Sequence, residues 1–417
     1  MHIHMLTQVF PPDSAAVGQY FEEAAMEAAE EGHKVTVWTA DRDYDDPSIR
    51  YDNRSRHPRI RIRRLPFSSF GKKTIFHRLL GQASFLGQCF IRLLFARKVD
   101  RLVVTTIPAT TGVMLAILCF FRSFPIIYWV MDINPDQAVA LGLARPNGPG
   151  RRLLDAVNRR LLRKAHRVIA LDSYMANRLR QKLPNPGEWE KKLRIIPPWP
   201  LRGSSTIAPD LSQSKAFRAE HGLAPDSFLF MYAGNHSLVH PLDGILRAIA
   251  AQPDWGETCF AFIGGGRGKM AVDQLLAERS GKNLLSLPYQ PLSEVPGVLS
   301  AADVHLVALG SAMVGIVHPC KIYTAMAVGK PILLYGPARS PLGEMINTHQ
   351  LGWIIEPEAT AGEIGDTLLA IRQTGSTELA AMGQRSRHVI REHYHPETLR
   401  REFLENLDLN SSGTMEL

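Results

Sequence analysis

The apolar and polar positions of this chain fall into short runs of two kinds that alternate from end to end. KVTVWT, DRLVVTTIP, PIIYWVMDINPD and HRVIALDS are short runs rich in β-branched and aliphatic residues, and each reads as a buried strand. RIRIRRLPF alternates residue by residue, which is also a strand pattern. Between them stand helical stretches. The Ala/Glu-rich VGQYFEEAAMEAAEEG is ended by Gly32, and GVMLAILCFFR, LLDAVNRRLLRKA and SYMANRLRQKL follow. KLRIIPPWP closes this half with a strand and a proline-rich stop. The pattern then restarts, with strands in DSFLFMYAGN, CFAFIGGG, NLLSLPYQ, DVHLVALG, PILLYGP and GWIIEP. Strand and helix alternating in this way predict a parallel α/β sheet, and the restart predicts two of them. A length of 417 residues also suits two domains of about 200 residues better than one. The expected organisation is a Rossmann-like domain over 1–197, a second over 198–392, and a C-terminal helix with a frayed tail over 393–417.

Composition narrows the class. Apolar content of 45% and charged content of 21% are those of a soluble globular chain. Four scattered cysteines without Cys-x-x-Cys spacing argue against a disulfide framework or structural zinc, and for a reducing cytosol. The opening MHIHMLTQVF does not resemble a signal peptide. GVMLAILCFF is much shorter than the roughly 20 residues a membrane span needs, so it is expected to be a buried helix.

Charge is unevenly placed. Up to Pro197 there are 31 Lys and Arg against 18 Asp and Glu, and beyond it 17 against 22. Asn53 to Val99 holds 12 basic residues and no acidic one. Partners of the first half are therefore expected to be anionic: lipid head groups, phosphates or nucleic acid. Within it, KKTIFHRLLGQASFLGQCFIRLLFARK (72–98) has the composition of an interfacial membrane helix, and equally of a core helix with a charged outer face.

The candidate chemistry lies in loops after strands. YAGNHSLVHPLD presents Gly234, Asn235, His236, Ser237 and His240 at a strand's carboxyl end, the rim where open α/β sheets bind ligands. GGGRGK offers Gly264, Gly265, Gly266 and Arg267 in a turn that lets backbone N–H groups approach an anion. Its spacing fits neither the nicotinamide fingerprint nor a P-loop. In GIVHPCKIYTAMAVGKP, His318, Pro319, Cys320 and Lys321 open a helix that Gly329 ends. Nothing from Ser311 to Leu342 is acidic. A lysine where the dipole favours an acid is expected to meet a phosphate there. WVMDINPDQAVALG places Asp132, Asn134 and Asp136 past a strand end, either as turn and cap residues or as a cleft lining.

YAGNHSLVHPLD, FIGGG, LPYQPLSEVPGVLSAADVHLV and GIVHPCKIYTAMAVGKP, in that order and spacing, resemble the family-4 glycosyltransferases of the GT-B fold, in particular those of bacterial surface-polysaccharide and O-antigen assembly. The resemblance spans nearly the whole chain. It implies two Rossmann-like domains facing a cleft, with the C-terminal helix crossing back to the first domain. It implies retaining hexosyl transfer from a UDP- or GDP-sugar, without cofactor or metal, to a glycan or lipid-linked acceptor. The cysteine usage and the acid-free basic run, which carries no compact nucleic-acid recognition motif, add the expectation of a cytoplasmic protein, peripheral on the anionic inner face of the plasma membrane, that binds no nucleic acid.

Donor contacts are expected at the loop residues Gly234, Asn235, His236, Ser237, His240, Gly264, Gly265, Gly266 and Arg267, at Tyr289, and at Gly315, His318, Pro319, Cys320 and Thr324. Acceptor contacts are implied at Gly18, Asn134 and Asp136, and catalytic roles at Lys321 and Asp132. Many members carry a Glu-x7-Glu pair on this last loop and helix; Ile316 and Thr324 stand at those positions here. A sugar-nucleotide epimerase of the same twin body is the alternative enzyme, and a basic nucleic-acid-binding protein the alternative class.

Overall fold

Among the described residues, short apolar runs bounded by Gly, Pro and Asp form thirteen strands in the computed structural model. It describes residues 1–408 apart from 14, 44–45, 71–74, 184, 202–210, 253 and 279–282. Lys72, Lys73, most of the 197–210 linker and the NSSGTMEL tail therefore lie outside the described residues.

The first seven strands make one sheet: β1 (His2–Leu6), β2 (Lys34–Ala40), β3 (Ile60–Leu65), β4 (Arg101–Thr105), β5 (Ile126–Trp129), β6 (Arg167–Ala170) and β7 (Leu193–Ile195). Their order is β3-β2-β1-β4-β5-β6-β7 and every pair is parallel. The alternating strand β3 takes an edge. There Ile60, Ile62 and Leu65 face the core while Arg61 and Arg63 face water, which is why its pattern has period two and that of central β5 does not.

The second sheet contains β8 (Phe228–Ala233), β9 (Thr258–Ile263), β10 (Leu284–Leu287), β11 (Val304–Ala308), β12 (Ile332–Tyr335) and β13 (Gly352–Ile355). Its order is β10-β9-β8-β11-β12-β13, again all parallel. Both are doubly wound sheets. Strand order reverses between β1 and β4 in one and between β8 and β11 in the other, and ligands of such sheets bind past the carboxyl ends of the strands at that reversal.

Contacts divide the chain into one unit of Met1–Pro197, Ile316–His318 and the described residues from Glu397 on, and a second of Pro198–Gly315 and Pro319–Pro396. The sequence reading put 316–318 in the second domain and made 393–417 a separate piece. Instead, the Ile133 N–H donates to the Ile316 carbonyl at 2.9 Å. The terminal helix Pro396–Glu405 packs in the first unit. Phe403 meets Trp129 with ring centroids 4.3 Å apart, and Trp129 stacks on Phe21 of helix Ala16–Glu30. Buried Arg400 donates to Glu27 at 2.8 Å and to Glu23 at 3.2 Å.

One expectation fails at helix Thr111–Phe121. Its inner face, with Met114, Leu115 and Leu118, is buried, but Ile117, Phe120 and Phe121 are exposed, so it is not a core helix. Hydropathy alone does not say how many neighbours cover a helix. Among the described residues no helix is long and apolar enough to cross a membrane.

Candidate functional site

In the second unit the loops after β8 and β9 close on each other backbone to backbone. The His236 N–H donates to the Gly265 carbonyl at 2.7 Å, and the Gly268 N–H to the His236 carbonyl at 2.8 Å. A Cβ on Gly264 would stand 2.2 Å from the Gly234 carbonyl oxygen, so only glycine fits. Gly264 also holds a φ of 122° that disfavours any side chain. The exposed ring of Tyr289 lies over Gly264 and Gly265. His240 ties the first loop to the end of β11 through Nδ1 and the Ala308 carbonyl, 2.9 Å apart. Ser237 Oγ accepts from the Val239 N–H at 3.4 Å and so shapes its own turn. Arg267 is exposed on the second loop. Lys269 turns inward, donating to the carbonyls of Phe262 and, at 2.8 Å, Leu287, and pins the glycine loop to its strands.

Lys321 reaches the same place from the far side of the strand reversal. Its ammonium donates to Tyr232 Oη, lies 3.7 Å from the centroid of that ring, and is 3.4 Å from the Asn235 carbonyl oxygen. Tyr232 Oη in turn donates to that carbonyl at 2.8 Å. A Cβ on Gly234 would stand 3.6 Å from Lys321 Nζ, so the glycine leaves the ammonium room. Lys321 pairs with no carboxylate among the described residues. Loss of water lowers its pKa to about 7, although the residue as a whole is only half-buried.

His236 is 1% exposed, and neither ring nitrogen has a hydrogen-bond partner among the described residues. Burial, then the nearby charges of Lys269 and Lys321, push it down to about 4. Two ammonium groups and an unsatisfied imidazole therefore stand at the carboxyl ends of β8 and β9. Buried polar groups are normally paired, so an unpaired one beside cations makes this rim a candidate anion site.

A helix dipole does not account for the place of Lys321. The helix it opens is only Lys321–Ala327, with Cys320 at the cap position, where its side chain makes no capping bond, and Pro319 buried before it. Seven residues carry little dipole; the lysine is placed by Tyr232, not by the helix end. Gly329 ends the helix as read, with φ 72°. Thr324 lies one turn after Lys321, and Gly315 is buried with φ 69°. His318 belongs to the first unit, where its Nδ1 is 2.8 Å from Asp172 Oδ2. Asp172 also caps helix Ser173–Lys182 by accepting the Met175 N–H. Ile316 is buried there too.

The first unit holds the remaining candidates. Asp132 follows β5, its N–H donating to Thr106 Oγ1 at 3.1 Å, and burial alone raises its carboxyl to about 6. It borders a small pocket with Tyr128, Asn134, Asn158 and Lys182. Asp136 is committed to an ion-pair group: Lys182 is 2.6 Å away and bonds Asp155 as well, with Arg178 at 3.9 Å. Asn134 accepts from Asn158 through its carbonyl. Gly18 is a packing contact, since a Cβ there would stand 3.0 Å from the Phe10 Cα.

Sequence reasoning missed Tyr232, Lys269 and Asp172. Nothing along the chain pairs a strand tyrosine with a lysine 89 residues later. Among the described residues, no group of three or more His, Cys, Asp or Glu is placed to hold a metal ion.

Residues 15–199 match the family model described as glycosyl transferase 4-like domain. The chain is 25% identical over 400 residues to WcaI of Escherichia coli K12, named as a colanic acid biosynthesis glycosyl transferase, covering 92% of this chain and 96% of WcaI. Its fold is similar to sucrose-phosphate synthase of Thermosynechococcus elongatus, with a TM-score of 0.75 at 16% identity over 97% and 98% of the two chains. It is also similar to HepE of Anabaena in complex with UDP-glucose, with a TM-score of 0.66 at 14% identity over 98% and 99%. Neither the epimerase nor the nucleic-acid reading is favoured by these matches. The two doubly wound parallel sheets have the GT-B fold of these solved structures, and residues 15–199 are similar to the glycosyl transferase 4-like domain.

Proposed function

We propose that the protein moves a hexosyl group, with retention, from a UDP- or GDP-sugar to a glycan or lipid-linked glycan acceptor in surface-polysaccharide assembly. The observation that carries this reading is the second unit's cluster of Lys321, His236 and the two glycine loops, which offers cations and N–H groups to a diphosphate and no carboxylate to repel it. The name of WcaI supports the polysaccharide setting, and the HepE complex with UDP-glucose supports the donor class.

The chemistry follows from charge. As the sugar C1–O bond to the β-phosphate breaks, negative charge grows on the leaving diphosphate, and the acceptor oxygen bonds C1 on the same face. Lys321 neutralises that charge where little water competes, so its bond strengthens toward the transition state. Tyr232 and Asn235 hold the ammonium in position. Among the described residues no carboxylate pairs with Lys321 to serve as a covalent nucleophile. Asp132, in the acceptor-binding unit, is suited to take up the acceptor's proton because burial already favours its protonated form.

Isothermal titration of the full chain with UDP and with GDP tests the donor site. Binding of one of them, weakened by Arg267→Ala or His236→Ala, supports the reading. No binding of either would sink it.

A further inference from the structure

Helices Ile75–Leu94 and Thr111–Phe121 pack side by side in the first unit, and their outward faces are apolar. On the first, Phe76, Leu80, Ala83, Gly87 and Ile91 recur at the spacing of one helix stripe, and all are exposed. On the second, Phe120 and Phe121 are 70% and 64% exposed. Phe121 meets Phe90 of the first helix edge to face, with ring centroids 6.2 Å apart, which joins the two stripes into one surface. The other side of the first helix is buried through Phe85, Cys89 and Leu93. A helix apolar on its inner and outer sides together is not built to face water, and a contiguous exposed apolar patch marks an interaction site.

Its surroundings say what covers it. The Arg160 guanidinium lies 4.3 Å over the Phe120 ring, and Arg92, Arg97 and Lys98 are exposed at the end of the first helix. From Asn53 to Met131 the chain has one acidic residue, Asp100. A second copy would set cations against cations. A neutral bilayer would leave them without a counter-charge.

We propose that this two-helix face docks the protein on an anionic lipid bilayer, with Phe76, Ile91, Phe120 and Phe121 entering the acyl boundary and the flanking Arg and Lys meeting lipid phosphates. It deepens the lipid-linked acceptor reading and rests on that reading only for its purpose. The surface itself stands on the exposure and charge just given.

The test is co-sedimentation of the full chain with phosphatidylcholine vesicles, with and without phosphatidylglycerol. The protein is expected to bind the anionic vesicles and to be released as salt rises. Phe120→Ser with Phe121→Ser should lower binding about tenfold or more, since an inserted ring is worth at least that. Arg92→Glu with Lys98→Glu should lower it about 25-fold or more, at about fivefold per charge removed. Both pairs are exposed, so melting temperatures should hold, and the charge pair serves if the Phe pair does not fold.

UDP and GDP binding on the same preparations separates the two readings. Vesicle binding without nucleotide binding would keep the docking face and remove the proposed function. The docking proposal is overturned if the wild-type chain stays in the supernatant, if neutral vesicles bind it equally, or if both pairs bind as wild type. It is also overturned if sedimentation without lipid shows a dimer or captured protein that the Phe pair releases.

Discussion

The Lys321 ammonium lies 3.7 Å from the centroid of the Tyr232 ring and donates to its hydroxyl, with no carboxylate beside it among the described residues. Burial holds its pKa near 7, below the ordinary value of 10.5. A group depressed in this way binds fewer protons folded than unfolded between those two values. Its penalty to stability is therefore full below pH 7 and disappears as pH rises toward 10.5. Lys321→Met removes the penalty, so the gain in melting temperature over wild type should be larger at pH 6 than at pH 9. Nucleoside diphosphate binding should weaken from pH 7 upward in the wild type and lose that dependence in the variant. Thermal scans and titrations at those pH values check both.

Asp132 behaves with the opposite sign. Its carboxyl is raised from 3.8 to about 6 by burial, so its penalty appears as pH rises through that window and is full above it. Asp132→Asn should then be at least as stable as wild type at pH 7.5. If Asp132 accepts the acceptor's proton, transfer should fall about 10²-fold or more, and the wild-type loss of rate below about pH 6 should vanish. Unchanged transfer at every pH would remove Asp132 from the chemistry.

Arg400 answers a different question, because its pairs with Glu23 and Glu27 tie the last helix into the first unit. Arg400→Met takes a charge-assisted partner from each of two acids, at least one of them deeply buried, and should cost about 3–5 kcal/mol. The triple change with Glu23→Leu and Glu27→Leu should recover most of the loss. Chemical denaturation of the three proteins gives the comparison. A single variant as stable as wild type would mean that the pairs contribute little.

Gly264→Ala should disrupt the donor loops, since the added methyl meets the Gly234 carbonyl at 2.2 Å and the backbone at φ 122° resists a side chain. A loss of about 1–3 kcal/mol is expected, with loss of nucleotide binding. Gly365→Ala, inside helix Ala361–Arg372 with no atom within 4 Å of the new methyl, should instead stabilise by about 0.5–1 kcal/mol. Denaturation curves of the pair check the contrast.

The fold was legible because strands buried on both faces, such as β9 and β11, appear as unbroken apolar runs, and because Gly234, Gly264 and Gly329 punctuate them where the backbone needs positive φ. The loops of the candidate site were legible for the same reason. What each side chain does inside them was not. Lys321 is held by a tyrosine 89 positions away, and His318 by an aspartate 146 positions away in the first unit. Such partners are tertiary contacts with no local signal. Helix Thr111–Phe121 was misread because an apolar helix looks the same in sequence whether or not its outer side is covered.

The most direct measurement is sugar transfer by wild type and Lys321→Met, run beside their nucleoside diphosphate affinities. A panel of UDP- and GDP-sugars with a polyprenyl-linked saccharide acceptor supplies the substrates. Wild type should turn over at least one donor, and the methionine variant should be slower by about 10²–10³-fold, with a smaller change in affinity, because the lost bond is strongest as the diphosphate departs. Full turnover by the methionine variant would contradict the account.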